Sequence, residues 1–522
     1  MRKTFLLLSI LISIYSYSQE RLEIKLQKNE NWWAGIIDHG HLMPLHADFR
    51  FDLIEADTYN QLQPLLISSN GRYLFSDEPF KFQVFEDRIE VESIEKLKIE
   101  SAGTSLKEAY MDVTTRHFSF EGHYPDSELF LKPQYNTWIE LTYNQNQKDV
   151  LTYAQNMLDN GLPSGVIMID DTWQHDYGVW EFDANKFPNP KAMVDSLHAE
   201  GFKVMLWICP FVSPDSREYR LLANEGGLLL NTEGTAPQLV DWWNGISAVI
   251  DLSHPNGSKW FQDRLDYLQS EYGIDGFKFD AGDIRFYTDG KSYGNISPHQ
   301  QCELFNKLGE NYKLNEFRVA WKAGGEPLAQ RLADKAHNWT DLQKLIPQIC
   351  LQGIMGYPFA CPDMIGGGEY GSFLNLESID QELIVRSAQC HVFMPMMQFS
   401  VNPFRILDEQ HAKAVKEAVA LRQEFAPIIM QLAESAARTG EPIVRLMEYE
   451  FPHQGFDDVT NQFMLGDTYL IAPVLEQGIK KQIIKLPKGK WKDPNGKIWS
   501  GNRSIDYPVD LETIPYFTKI IK

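Results

Sequence analysis

Between residues 133 and 435, short apolar segments alternate with segments whose apolar residues have helical spacing. Seven of the apolar segments are predicted strands: 138–141, 166–169, 204–208, 276–279, 318–321, 354–358 and 392–396. Repeated strand-then-helix units favour an α/β fold with a parallel (β/α)8 barrel of the TIM type. A doubly wound open sheet is the alternative, but no glycine-rich phosphate loop follows an early strand.

The clearest of these units is the stretch 259–283. Its first part, 259–272, has apolar residues on one helical face, a glycine follows, and the apolar segment 276–279 ends at Asp280. A buried parallel strand of this kind delivers its last side chain to the mouth of a barrel. Two roles fit Asp280 on this pattern alone: a cap for the next helix, or a catalytic acid.

The regions on either side of the predicted barrel have a different pattern. Residues 19–132 consist of short alternating segments broken by Gly, Asn and Asp, which predicts an N-terminal β-sandwich. A long helical stretch at 408–434 closes the barrel region 133–435, and strands separated by turn signals return in 436–522. We therefore predict a barrel flanked by an N-terminal sandwich and a small C-terminal β-sandwich domain.

The N-terminus has the features of a processing signal. Arg2 and Lys3 precede a mostly apolar segment at 5–15, and small residues follow at 16–18. We predict a signal peptide at 1–18 and export to the periplasm or the medium. The apolar segment is too short to cross a bilayer and no later run of about 18 apolar residues exists, so we expect no membrane anchor.

Charge and cysteine content argue against several classes of function. The formal net charge is −22 and there is no run rich in lysine or arginine, so we expect no nucleic-acid partner. The five cysteines show no CxxC pairing, which favours buried thiols over a disulfide scaffold or a zinc site. We predict no metal and no cofactor, and the oligomeric state is left open by the sequence.

Polar residues cluster where the predicted strands end, and the carboxyl ends of barrel strands meet at one mouth. Asp170, Asp171, Asp280 and Asp363 follow predicted strands, Arg318 opens a later one, and Asp334 lies in the loop beyond it. Several carboxylates beside an arginine, a lysine and tryptophans suit cleavage of a glycosidic bond. A metal site would also use carboxylates, but no histidine ligand spacing accompanies them.

Several motifs together resemble glycoside hydrolase family 31. In the barrel region they are 187–190 (FPNP), 201–210 (GFKVMLWICP) and 362–367 (PDMIGG), and in the C-terminal region 466–474 (GDTYLIAPV) and 486–491 (LPKGKW). Within the family, 277–282 (FKFDAG), Asp334 with Lys335, and 356–359 (GYPF) are most similar to the branch of the myogenesis-regulating glycosidase and related bacterial α-galactosidases. The resemblance covers residues 32–516.

The resemblance implies a retaining mechanism in which Asp280 is the nucleophile. The family places its acid/base sixteen residues beyond a substrate-holding arginine, and Asp334 lies sixteen residues beyond Arg318 (334 − 318 = 16). Asp341 is the rival candidate, because many members carry a tryptophan shortly before the acid and Trp339 precedes Asp341. The common Arg-Ser and Gly-Asp motifs of this region are absent here.

The resemblance also implies a set of substrate-binding residues: Asp170, Asp171, Trp243, Lys278, Arg318 and Asp363. The paired acids are similar to those by which related α-galactosidases hold the 4- and 6-hydroxyls of the sugar. Capping of a helix by Asp170 and core packing of Trp243 are the alternatives for those two residues. Gln398 stands near the position where many relatives carry a pocket histidine, and this departure weakens the case for glucose specificity. We also expect the N-terminal loop 68–73 to reach the barrel mouth, as N-terminal loops do in this family.

The resulting prediction is an exported, retaining, exo-acting α-glycosidase whose partner is an oligosaccharide or glycoside substrate. An α-galactoside is the leading substrate and an α-glucoside the second. A transglycosylase would use the same two acids. A catalytically inactive carbohydrate-binding protein is the alternative from another class.

Overall fold

A computed structural model describes residues 20–55 and 58–521, so the predicted signal peptide at 1–18 lies outside the described residues. Eight parallel strands form the central sheet, and consecutive strands along the chain are neighbours in it. In chain order these barrel strands are Gln134–Asn136, Val166–Ile169, Lys203–Ile208, Gly276–Phe279, Leu314–Phe317, Gln330–Arg331, Ala360–Cys361 and Gln398–Phe399. The eighth strand pairs with the first, and a parallel bridge from Met364 to Gln398 closes the barrel. The predicted barrel is confirmed.

Four of the seven predicted barrel strands are misplaced. Trp138–Leu141 is a short helix that follows the first strand, and 318–321 follows the fifth strand instead of forming it. The predictions at 354–358 and 392–396 end just before the seventh and eighth strands. These last strands are only two residues long and include a buried glutamine, Gln398, so they lack the apolar run by which a strand is predicted.

The helices of the barrel region begin at side chains that accept backbone N–H groups. Asn146, Asn189, Ser297 and Asp408 do this for four of them, because the first turn of a helix has unpaired donors. The α-helices are Glu128–Leu131, Trp138–Leu141, Gln147–Asp159, Pro190–Ala199, Arg217–Glu225, Pro255–Tyr272, Pro298–Gly309, Trp339–Ile354, Gln381–His391, Pro403–Ile406 and Glu409–Thr439. Short 3-10 helices are Ile284–Tyr287, Tyr370–Phe373 and Leu376–Ser378.

Two small antiparallel sheets sit in the loops that follow the second and third barrel strands. The first pairs Gln174–Asp176 with Val179–Phe182. The second orders its strands as Phe211–Val212, Gly245–Val249 and Leu239–Trp242. These loops therefore build part of the wall above the carboxyl ends of the barrel strands.

The N-terminal region is a sandwich of two four-stranded antiparallel sheets, as predicted. One sheet orders its strands as Glu20–Lys25, Arg88–Ser93, Phe80–Val84 and Arg50–Asp52. The other orders them as Trp32–Ile36, Leu62–Ser68, Arg72–Phe75 and Glu100–Ser101. A 3-10 helix, Ile37–Leu42, and an α-helix, Leu106–His117, complete the region.

The C-terminal region is also built of β-strands and has its own apolar core, which includes Leu470, Ile484, Trp491 and Phe517. A six-stranded sheet orders its strands as Val444–Arg445, Phe463–Leu465, Tyr469–Ile471, Tyr516–Lys519, Lys490–Lys492 and Ile498–Ser500. Lys481–Leu486 pairs with Arg503–Pro508. A single turn of helix, Met447–Glu450, precedes the strand Phe463–Leu465.

The N-terminal sandwich meets the barrel beside the fifth barrel strand. Leu62 donates to the carbonyl of Ala320 at 2.8 Å and accepts from the N–H of Lys322 at 3.1 Å. The expectation for loop 68–73 is wrong: its side chains bond within the sandwich, as Arg72 does to Glu30. Residues 59–62 reach the barrel mouth instead.

Two further expectations concern the described residues. All five cysteines are free and buried, as predicted. In the part of the chain that the structure describes, no helix combines the length and apolar character needed to cross a bilayer.

Candidate active site

A cavity of about 420 Å³ opens at the carboxyl ends of the barrel strands. Seven residues singled out from the sequence line it: Asp170, Asp171, Trp243, Lys278, Asp280, Arg318 and Asp334. Five of them lie within two residues of the end of a barrel strand, which is why they converge. Trp243 comes from the antiparallel sheet above the third strand, and Asp334 from the loop after the sixth.

Asp280 follows the fourth barrel strand and is held by three donors. Its Oδ1 accepts from Arg318 Nε at 2.7 Å and from the backbone N–H of Ala281 at 2.8 Å, and its Oδ2 accepts from Trp207 Nε1 at 3.0 Å. The next helical turn, Ile284–Tyr287, begins beyond Asp280 without a side-chain cap. The capping alternative for Asp280 is therefore wrong.

The charge environment keeps Asp280 ionised. Burial alone would raise its pKa, but Arg318, Lys278 and Arg331 together hold the pKa well below the usual range of an aspartate. An anionic carboxylate is the form that can attack a carbon centre.

Arg318 connects the fifth barrel strand to its surroundings. Besides Asp280 it binds Asp283 through Nη2 at 2.7 Å, and its Nη1 donates to the carbonyl of Tyr59 in the N-terminal sandwich at 2.9 Å. Its guanidinium lies 5.7 Å from the ring centre of Trp243. Trp243 is 46% exposed, so it is a cavity-wall residue rather than a core residue.

Lys278 and Asp170 form a buried ion pair on the cavity floor, with Nζ 2.7 Å from Oδ2. A two-stranded hairpin, rather than a helix, follows the second barrel strand, so Asp170 does not cap a helix. Burial first, and the neighbouring Asp170 second, raise the pKa of Asp171 to about 7. Tyr177 donates its hydroxyl to Asp171 at 3.2 Å.

Asp334 lies at the open side of the cavity with 41% of its side chain exposed. Its Oδ1 accepts from Arg331 Nη1 at 2.8 Å. Arg331 is fully buried in the sixth barrel strand and also lies 3.4 Å from Glu316. The candidate proton donor is thus paired with a cation that other carboxylates share.

The structure places Asp363 behind the cavity rather than on its surface. Asp363 is fully buried, accepts from Arg331 Nη1 at 2.7 Å, and accepts the N–H groups of Lys335 and Gly368. The predicted substrate contact is replaced by a role in holding Arg331 and the loop after it. The sequence suggested otherwise because Asp363 also follows a barrel strand.

Asp341 lies in the first turn of the helix Trp339–Ile354. It accepts from the N–H of Ala336 at 2.8 Å and binds Lys344 at 2.7 Å, and it does not line the cavity. These contacts are those of a residue that stabilises a helix start. Between the two candidates for the acid/base, only Asp334 faces the cavity.

Several cavity residues were not predicted from the sequence. Two of them could have been found from their positions. Trp207 lies in the third barrel strand, and Arg331 lies three residues before Asp334. Tyr59 and Tyr143 lie in loops, Tyr370 begins a short 3-10 helix, and none of the three belongs to a motif. Among residues 20–55 and 58–521, no three His, Cys, Asp or Glu side chains are grouped as metal ligands.

Two models of known protein families match the chain. The family model for the glycosyl hydrolases family 31 TIM-barrel domain matches residues 133–432, and that for the family's C-terminal domain matches residues 440–520. The chain belongs to glycoside hydrolase family 31. The cavity described above therefore lies at the carboxyl ends of the strands in the family 31 barrel.

Curated members of family 31 resemble the chain over part of their length. The mouse myogenesis-regulating glycosidase is 34% identical over 429 residues, which cover 80% of this chain and 60% of the relative. Alpha-glucosidase 2 of Bacillus thermoamyloliquefaciens is 26% identical over 72% of this chain and 51% of the relative. The chain thus spans between half and three fifths of these two proteins.

Solved family 31 structures share the fold. The Flavobacterium johnsoniae dextranase, complexed with glucose, has a TM-score of 0.80 at 19% identity and covers 96% of this chain and 66% of its own. An alpha-xylosidase from a soil metagenome, complexed with xylose, has a TM-score of 0.81 at 20% identity and covers 96% and 79%. Likeness at this level of identity concerns the fold alone.

Proposed function

We propose that the protein is a retaining, exo-acting α-glycosidase that works through a covalent glycosyl-enzyme. The observation that carries the proposal is that Asp280 and Asp334, 54 residues apart (334 − 280 = 54), line one cavity. Two carboxyl groups across one cavity are what retaining glycosidases require. Membership of family 31 agrees with this assignment.

In the first step, a carboxylate oxygen of Asp280 forms a bond to the anomeric carbon while the glycosidic C–O bond breaks. Asp334, in its protonated form, gives its proton to the departing oxygen. Arg318 and Trp207 orient the attacking carboxylate through the hydrogen bonds that each donates. Because Asp280 is ionised beforehand, no proton has to leave the nucleophile.

In the second step, water attacks the anomeric carbon and the bond to Asp280 breaks. Asp334, now anionic, takes a proton from that water and returns to its starting form. Its exposed carboxyl group is accessible to solvent, as this role demands. A sugar hydroxyl in place of water would give transglycosylation with the same two acids.

The leading substrate is an α-galactoside, with α-glucosides second. Asp170, Asp171 and Lys278 present charged groups at the cavity floor, where they suit the hydroxyls of one terminal sugar. Gln398 is fully buried and donates to Gln134 and Glu316 inside the barrel, so it supplies no cavity contact like that of the histidine in many relatives. The lack of this contact supports placing α-glucosides second.

The remainder of the substrate has space beside the cavity. A groove of about 800 Å³ shares Tyr59 and Trp243 with the cavity and is also lined by Asp241 and Asp289. A second sugar or another aglycone fits this groove while a single terminal sugar occupies the cavity. The arrangement supports exo action, and the predicted signal peptide supports export to the periplasm or the medium.

Hydrolysis of a panel of α-linked galactosides, glucosides and xylosides tests the proposal, with Asp280→Asn as the inactive control. We expect the highest kcat/KM for an α-galactoside and loss of all hydrolysis in the variant. The alternative of a catalytically inactive binding protein is relevant because one relative, 27% identical, is the SITS-binding protein of Tetronarce californica. Binding of the glycosides without hydrolysis by the unaltered protein would favour that alternative.

A further inference from the structure

Three consecutive residues of the N-terminal sandwich contact the machinery of the barrel. The carbonyl of Tyr59 accepts from Arg318 Nη1 at 2.9 Å. Asn60 Oδ1 accepts from the N–H of Ala333, the residue before Asp334, at 2.7 Å. The third residue, Gln61, contacts two barrel strands at once.

Gln61 is completely buried, and its amide group is fully engaged. Nε2 donates to the carbonyl of Arg318 at 2.6 Å and to the carbonyl of Arg331 at 2.9 Å. Oε1 accepts from Gln352 Nε2 at 2.8 Å, which fixes the orientation of the amide. A primary amide has two N–H groups at a fixed angle, so it sets the separation of the two carbonyls it binds.

These carbonyls lie where backbone pairing between the fifth and sixth barrel strands ends. The fifth and sixth strands pair at a single position, Phe317 with Gln330. Arg318 and Arg331 are the next residues along each strand, and their side chains bind Asp280 and Asp334 respectively. The spacing between the two candidate catalytic carboxyl groups therefore depends on a contact that the barrel does not supply itself.

We infer that Gln61 of the N-terminal sandwich is a positioning residue for catalysis, which sets the separation of the strand ends that carry Arg318 and Arg331. The inference rests on the proposed function. Gln61 does not line the cavity, and it acts through the two arginine backbones. Loss of alignment by about 1 Å at reacting groups can cost as much as 10²-fold in rate.

The matched pair of variants is Gln61→Leu and Gln63→Leu. Gln63 lies two residues along the same segment, is equally buried, and contacts the barrel through Tyr357, whose hydroxyl donates to it at 2.8 Å. Both variants delete one amide at the same interface, but only Gln61 binds the strand ends beside the acids. Comparable melting temperatures in the two variants would show that both substitutions cost similar stability, so that a difference in kcat does not come from unfolding.

We expect Gln61→Leu to lower kcat by between about 10- and 100-fold, with KM nearly unchanged, because the contacts on the second and fourth strands are untouched. Gln63→Leu should keep the kcat of the unaltered enzyme. Hydrogen exchange should be faster at the amides of 318–322 and 330–335 in Gln61→Leu than in Gln63→Leu. A smaller fraction of folded enzyme would also lower the apparent kcat of a variant. Titration of active sites measures that fraction, and kcat is calculated for the folded enzyme only.

Equal kcat in the two variants, or equal exchange in the two segments, would overturn the role of Gln61 while leaving the proposed function intact. Failure of the unaltered enzyme to hydrolyse any α-glycoside would instead overturn the proposed function. The exchange measurement would then still decide whether Gln61 holds the two strand ends.

Discussion

Arg331 donates through Nη1 to Oδ1 of Asp334 at 2.8 Å, so the candidate proton donor is paired with a buried cation. The same nitrogen lies 2.7 Å from Asp363. Burial first raises the pKa of Asp363 to about 6, against the opposing effect of Arg331. One buried guanidinium is thus shared between Asp334, which faces the cavity, and Asp363, which lies behind it.

Replacing the cation should change the pH dependence of the enzyme. Arg331→Gln removes the positive charge that opposes the raised pKa of Asp363, so that pKa should rise further and the basic limb of kcat/KM should move to higher pH. Arg331→Lys keeps the charge and should leave the limb nearly in place. An equal displacement in both variants would show that geometry, and not charge, governs the proton donor.

The two candidates for the acid/base are separable by mutation. Asp334→Asn should lower kcat/KM by roughly 10²- to 10⁴-fold for substrates with poor leaving groups, and much less for aryl glycosides, which need little protonation. Asp341→Asn should retain activity and lose up to about 1 kcal/mol of stability, since Asp341 supports a helix start. The reverse result, with activity lost only in Asp341→Asn, would transfer the role to Asp341.

Asp171 should make stability depend on pH. Its pKa is raised to about 7 in the folded protein, so the fold binds this proton more tightly than the unfolded chain does. The stability that the proton contributes is present below about pH 4 and is lost as the pH rises through 7, by up to about 1.4 kcal/mol for each pH unit. Asp171→Asn cannot ionise, so urea unfolding should show a flatter profile. Parallel profiles for both proteins would contradict the raised pKa.

The ion pair on the cavity floor should show strong energetic coupling. Lys278→Met leaves Asp170 as an uncompensated buried charge and should destabilise the fold by about 3–5 kcal/mol. The double variant with Asp170→Asn removes both charges and should recover most of that loss while staying inactive. Additive losses in the double-mutant cycle would mean that the two side chains do not interact.

The barrel and its carboxylates followed from the sequence because three of its strands are mostly apolar segments of at least four residues. Val166–Ile169 and Gly276–Phe279 match their predictions, and the acids after them line the cavity. Asp363 has the same local pattern yet is buried. A position after a strand does not show whether its side chain faces the cavity or the protein interior. Gln61 was not predicted, because its partner Arg318 is 257 residues away and the amide has no periodic signal.

In the proposed mechanism, Asp280 forms a covalent bond to the sugar. The most direct measurement is a peptide mass map after incubation with 5-fluoro-α-galactosyl fluoride, which slows the breakdown of a glycosyl-enzyme. We expect one added fluorosugar on the peptide that carries Asp280, and no addition in Asp280→Asn. A label on another carboxylate, or turnover of the reagent by unaltered enzyme with inversion and no label, would contradict it.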